Sequence, residues 1–195
     1  EGDPARALAP FAGDCGHPEG SLHFLNFNTN KRSLTLDLTS AESRDVLARI
    51  VATVDIVVES FPPGYLEELG LGFESLPAIN PALVMASITP FGQSGPYKVF
   101  LGSELVAQAM GGLMYIQGDD KRAPCAAPCD QASQLASLHA AFSTLAALRH
   151  RGETGLGQHV DVSMQDVVAH LLFSVARYAY NGEIARRTGV ASPLA

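Results

Sequence analysis

A chain of 195 residues with 47% hydrophobic and only 17% charged side chains has enough apolar material for one domain with a substantial core, which excludes a disordered or fibrous protein. The formal net charge of −7, with no basic run longer than the Lys31-Arg32 and Arg186-Arg187 pairs, excludes a nucleic-acid surface. No stretch reaches the ~18 to 20 uninterrupted apolar residues of a bilayer span, because "VVAHLLFSVARYAY" is broken by His170 and Arg177, so no membrane partner is expected and no secretory signal is recognised.

Residues 1–22 are rich in Gly, Pro and Asp without a period and read as a loop or cover strand. "RSLTLDL" (32–38) alternates and predicts a strand. Thr39 with Glu42 forms a capping box for a following helix, in which Val46, Leu47, Ile50 and Val51 recur at helical spacing. "DIVVES" (55–60) is a short apolar run ending at Phe61-Pro62-Pro63-Gly64, as expected of a buried parallel strand opening into a loop. "YLEELG" predicts a short helix stopped at Gly70, "ESLPAINP" a turn of helix, and "ALVMASIT" (82–89) a further buried strand. This alternation predicts an α/β fold, a Rossmann-like parallel sheet with flanking helices.

Beyond residue 89 comes the Gly/Pro loop "PFGQSGPY", then "ELVAQAMGGLMYI" as an apolar helix interrupted at Gly-Gly, then a loop over 119–129. From Asp130 a helix is expected to about residue 150, with Leu135, Leu138, Phe142, Leu145 and Leu148 as its apolar positions. "GETGLGQ" turns the chain, "HVDVSM" (159–164) reads as a strand, and "QDVVAHLLFSVARYAYNG" as a last helix.

The familiar catalytic signatures are missing: there is no G-x-S-x-G, Walker loop, H-E-x-x-H, or G-x-G-x-x-G placed after a strand. His17, His23, His139, His150, His159 and His170 have no ligand spacing and read as ordinary surface or core histidines. Cys15, Cys125 and Cys129 include a C-x3-C pair without the second pair that zinc requires, so reduced thiols of a cytoplasmic protein, with no metal, are expected. Parallel sheets bind ligands at the carboxyl ends of their strands, here 36–39, 60–62 and 89–97. Asp130 supports two readings. It is a favourable N-cap for the helix that follows. Held ionised at a helix N-terminus among Ala126, Ala127, Ala132 and Ser133, it is also open enough to attack an activated acyl group.

Taken in order, "NTNKRSLTLDL", "DIVVESFPPGYLEELGLGFESLPAINPALVMASITPFGQSGPY", "ELVAQAMGGLM" and "GLGQHVDVSMQD" resemble the class III CoA-transferases. This family includes formyl-CoA:oxalate and carnitine CoA-transferases and alpha-methylacyl-CoA racemase. The resemblance runs over roughly residues 1–188. It implies that 1–195 is part of a Rossmann-like large domain, without the first strand-helix-strand and the small domain, and that the full-length protein is an interlocked homodimer. It also implies an acyl-CoA:carboxylate CoA-transferase, with Asp130 as nucleophile passing through aspartyl anhydride and aspartyl-CoA thioester intermediates.

The same resemblance implies that coenzyme A, as acyl-CoA, lies along Leu36, Asp37, Leu38, Thr39, Ser60, Phe61 and Pro62, with a small carboxylic acid as acceptor. Glu104 stands where transferases also carry Glu and racemases carry a His-Asp pair, which favours transfer. An acyl-CoA racemase or epimerase of the same family, or a non-catalytic CoA-binding fragment, are the alternatives. Ser60 stands where Asn is common, and Glu68 and Leu101 replace basic residues, which implies a weaker hold on CoA phosphates.

Overall fold

The computed structural model describes residues 2–14 and 17–189; Cys15 lies outside them. The chain divides into two compact units, Glu1–Ser43 and Arg44–Ala195.

In the first unit, short 3-10 turns at Pro4–Ala7, Ala12–Asp14 and Pro18–Gly20 lead into helix α1, Leu22–Phe27. The sequence reading missed this helix. Ser21 caps it, its Oγ accepting from Phe24 N–H at 3.2 Å. The strand expected over 32–38 does not form: the segment has no ladder partner among the described residues, and Leu34 is 61% exposed. Alternation marks a chain able to pair, but a strand needs a neighbour to accept its N–H groups. Ahead of helix α2, Ala41–Val51, which runs from this unit into the second, the Thr39 hydroxyl donates to Asp37 at 2.6 Å, and Ser40 Oγ accepts from Ser43 N–H at 3.1 Å.

The second unit is built on three parallel strands in the order β1 (Ile56–Glu59), β2 (Val84–Thr89), β3 (His159–Ser163). Ile56 pairs with Val84, and Thr89 with Ser163. β2 is buried along almost its whole length, which explains why it reads as an unbroken apolar run. Helix α3, Tyr65–Glu68, and a 3-10 turn at Leu76–Ala78 connect β1 to β2. The second crossover contains α4 (Glu104–Met110), α5 (Leu113–Ile116) and the 24-residue α6 (Gln131–Thr154). α7 (Met164–His170) and α8 (Phe173–Asn181) follow β3. No helix among the described residues is long and apolar enough to cross a membrane.

The buried face of α6 differs from expectation. Ala132, Ala136, Ala140, Thr144 and Ala147 face inward, and Ala136 and Ala140 pack with Val162 and Val167. Leu138, Phe142 and Leu145 are instead 66%, 77% and 64% exposed. Both stripes have helical spacing. Leu135 is half-buried and packs against the same cluster, but close packing on a sheet selects the stripe with small side chains, so leucine periodicity alone located the buried face only in part.

Gly111 lies where a Cβ would meet the Val168 side chain at 2.6 Å, so α4 and α7 touch nearly backbone to side chain. The turn before β3 is tighter. A Cβ on Gly157 would lie 1.8 Å from the Leu83 carbonyl oxygen, and Gly157 N–H donates to Pro81 O at 2.9 Å. Gly157→Ala is therefore expected to cost at least the ~1 to 3 kcal/mol typical of overpacking, read as a lowered urea midpoint with an unchanged slope.

Candidate active site

The head of α6 is shaped by an unusual backbone. Cys129 and Asp130 have φ of 64° and 48°, so two successive residues other than glycine are left-handed. An N-cap residue ordinarily sits in the extended region, from which its side chain reaches the N2 and N3 amides. Asp130 occupies the cap position in the left-handed region and makes no capping bond with its side chain. Its carboxylate is exposed and has no hydrogen bond or ion pair among the described residues.

Another side chain takes the amides that Asp130 leaves. Glu104 Oε1 accepts from Ala132 N–H at 2.7 Å, and Oε2 accepts from Ser133 N–H at 2.9 Å and from the Ser133 hydroxyl at 2.7 Å. Glu104 is the first residue of α4, and Ser103 caps that helix through Val106 N–H at 3.3 Å. One short helix thus supplies the cap of the longest one, from 28 positions upstream in sequence.

One turn further along α4, Gln108 is 1% exposed. Its Nε2 donates to Glu104 Oε1 at 2.7 Å and to Ala127 O at 3.2 Å, while its Oε1 accepts from Ala127 N–H at 2.8 Å. Burial alone would push the Glu104 carboxyl up. The hydrogen bonds from the Gln108 and Ser133 side chains and from the Ala132 and Ser133 amides outweigh that effect and hold it below the ordinary glutamate value.

The carboxyl ends of the strands supply the walls of a cleft. A space of about 520 Å³ is lined by Val58, Ser60 and Phe61 from β1 and its loop, Ile88 of β2, Met164, and Ser133 of the first turn of α6. A second, of about 320 Å³, shares Ser60 and Phe61 and continues along Pro62 to Lys98 and Leu101. Two of the expected binding residues therefore stand between two clefts, the first of which reaches the α6 head. Glu59, 9% exposed, fixes the loop by accepting from Phe61 N–H at 2.7 Å.

Leu36, Asp37, Leu38 and Thr39 belong to the first unit. There Asp37 accepts from both the hydroxyl and the N–H of Thr39, which hold its carboxyl below the ordinary aspartate value. The sequence reading named Asp130, Glu104 and Ser60, and named Ser133 only as a small neighbour of Asp130; it did not name Gln108 or Glu59. A glutamine four residues after a glutamate on a short helix is the signal that could have found Gln108. Cys125 and Cys129 are exposed free thiols. Among the described residues no group of three or more His, Cys, Asp or Glu could hold a metal ion.

Comparison with known proteins agrees along the whole chain. The family model for CoA-transferase family III matches residues 1–195. The succinyl-CoA:(R)-benzylsuccinate CoA-transferase subunit BbsE of Thauera aromatica is 36% identical over 189 residues, covering 96% of this chain and 46% of that protein. The formyl-CoA:oxalate CoA-transferase of Streptomyces coelicolor is 40% identical over 151 residues, covering 77% and 37%. A crystal structure of a CAIB/BAIF family protein from Brucella suis superposes with a TM-score of 0.90 at 35% identity, covering 98% of this chain and 51% of that one. The chain thus spans about half the length of, or less than half of, the proteins it matches.

The Glu104 cap has a pH signature. Its carboxyl titrates below that of an unfolded glutamate, about 4.3, so its contribution to stability is complete above that range and is lost as pH falls through the folded value. Glu104→Gln is expected to cost about 1 to 2 kcal/mol at neutral pH. The gap to wild type should close as pH drops below the carboxylate range, measured by urea unfolding at both ends.

Proposed function

We propose, from the premise that this chain belongs to CoA-transferase family III, that it supplies the nucleophile and part of the acyl-CoA cleft of an acyl-CoA:carboxylate CoA-transferase. The observation that carries this reading is the transfer of the capping duty to Glu104, which leaves Asp130 exposed and uncommitted at the head of α6.

In the proposed mechanism an Asp130 carboxylate oxygen attacks the thioester carbonyl of the donor, and the C–S bond breaks to release CoA thiolate and leave an acyl-aspartyl anhydride. The thiolate attacks the aspartyl carbonyl, expelling the donor acid and forming an aspartyl-CoA thioester. The acceptor carboxylate attacks that carbonyl in turn, giving a second anhydride and free thiolate. Attack of the thiolate on the acceptor's acyl carbonyl yields the new acyl-CoA and regenerates Asp130. No proton or outside energy source is consumed. The α6 N-terminus sets partial positive charge beside the reacting centre.

Glu104 then serves as a positioning residue, since its oxygens are occupied by three N–H or O–H donors of α6 and by Gln108. That commitment supports transfer over racemisation, because a carboxylate so engaged is poorly placed to shuttle an alpha proton. Ser60, Phe61 and Pro62 line the route for the pantetheine arm. The chain is read as part of a large domain, the assembled protein as an interlocked homodimer, and a small carboxylic acid as the acceptor.

Succinyl-CoA and formyl-CoA, the donors in the relatives' names, are the first probes. Incubation with donor and hydroxylamine is expected to leave a hydroxamate on Asp130, located by mass spectrometry; turnover that continues without that label would overturn the assignment. Asp130→Asn should lower kcat by a factor on the order of 10⁴ or more. Its stability should stay within about 0.5 kcal/mol of wild type, because asparagine tolerates the left-handed backbone and the cap is elsewhere.

A further inference from the structure

Gln108 ties together three parts of the second unit: the first turn of α4, the loop that delivers the chain to Asp130, and, through Glu104, the head of α6. Its amide is almost fully used. Both donors and one acceptor lone pair are engaged, and the assignment of N and O is fixed by chemistry, since a flipped amide would set its NH2 against Ala127 N–H and its oxygen against two acceptors. The pair of bonds to Ala127 resembles a strand ladder of one residue, made by a side chain.

Ala127 lies three residues before Asp130. Cys129 and Asp130 hold left-handed backbone, which is unfavourable for residues other than glycine. Such geometry persists only where its surroundings over-determine it. The described structure holds it from both sides. Gln108 pins the loop at Ala127, and the Glu104 carboxylate, itself held by Gln108, pins Ala132 and Ser133.

We propose that Gln108 is a positioning residue of the transfer reaction, fixing the Asp130 carboxylate by bracing Ala127 on one side and orienting Glu104 on the other. This rests on the reading of Asp130 as nucleophile. Its removal should act on the rate of anhydride formation rather than on acyl-CoA binding, because Gln108 is buried and lines neither cleft. Displacement of a reacting group by about 1 Å can cost up to a hundredfold in rate.

Gln108→Glu keeps length and shape while replacing the amide donor. At neutral pH its carboxylate would face the carboxylate of Glu104, the ionisable group in hydrogen-bond contact with this position, and the Ala127 carbonyl. Protonation restores one donor. With the donors named above, kcat is expected to fall by about ten- to a hundredfold with KM for acyl-CoA within about twofold, and the deficit should shrink as pH is lowered. Gln108→Met, similar in length but without a donor, should lose kcat with no recovery at low pH. It also carries the test if the charged variant does not fold at neutral pH.

Wild-type kcat in both variants, or a loss that is equal at every pH with KM rising in step, would overturn the proposal and leave Gln108 a packing residue. Hydroxylamine labelling separates this from the parent reading. No label on wild-type Asp130 overturns the nucleophile, whereas a wild-type label that forms equally fast in Gln108→Glu overturns only the role of Gln108.

Discussion

The contact between the Glu104 carboxylate and the first amides of α6 is the constraint on which the rest of the site depends. A helix leaves its first N–H groups without partners, and a helix of 24 residues presents them with the full local charge of its dipole. A carboxylate from another helix satisfies them with charge-assisted bonds, stronger than those between neutral groups. That choice fixes the approach of α4 to α6. It also requires the loop between them to turn back sharply, and the turn is the left-handed pair Cys129 and Asp130.

The sheet makes the arrangement possible. Parallel pairing of β2 with β3 demands a crossover, and this chain places α4, α5 and α6 in it. The crossover starts at the carboxyl end of β2 and ends at the amino end of its neighbour β3, so α6 must run back along the sheet in close contact. Its alanine face permits that approach, with Ala132 packed against Ala107 and Val168 and Ala136 and Ala140 against β3 and α7. The amino end of α6 arrives at the carboxyl edge of the strands, beside Ser60 and Phe61, as the general placement of ligand sites in open α/β sheets leads one to expect.

Much of this was legible in the sequence where a single physical demand sets the pattern. β1, β2 and β3 lie within the expected 55–60, 82–89 and 159–164: β2, buried along almost its whole length, needs a continuous apolar run, and β3, with Asp161 exposed, shows the alternation of a strand covered on one face. The break between α4 and α5 at Gly111 and Gly112 was equally plain. The failures share a cause, which is dependence on partners that a linear pattern does not name. Residues 32–38 carry the alternation of a strand but do not join the β1-β2-β3 sheet, and two stripes of α6 had the right period. Glu104 was singled out through family resemblance, but its bonds to Ala132 and Ser133 join residues 28 and 29 positions apart, which no local spacing rule reaches.

Asp130 stands where one carboxylate could cap α6 and also attack an acyl group. Capping occupies the carboxylate lone pairs with N–H donors, and a carboxylate so occupied has less electron density for attack on a carbonyl. The two duties therefore compete within one residue, and two carboxylates at one helix end can divide them. Glu104 has the environment of a fixed structural anion, partly buried and saturated with donors. Asp130 has the exposure and freedom that an attacking group requires, on a backbone whose strain is held by its neighbours. This division accounts for a cap drawn from another helix where the residue beside α6 was already an aspartate, and the proposed chemistry supplies the reason to keep that aspartate free.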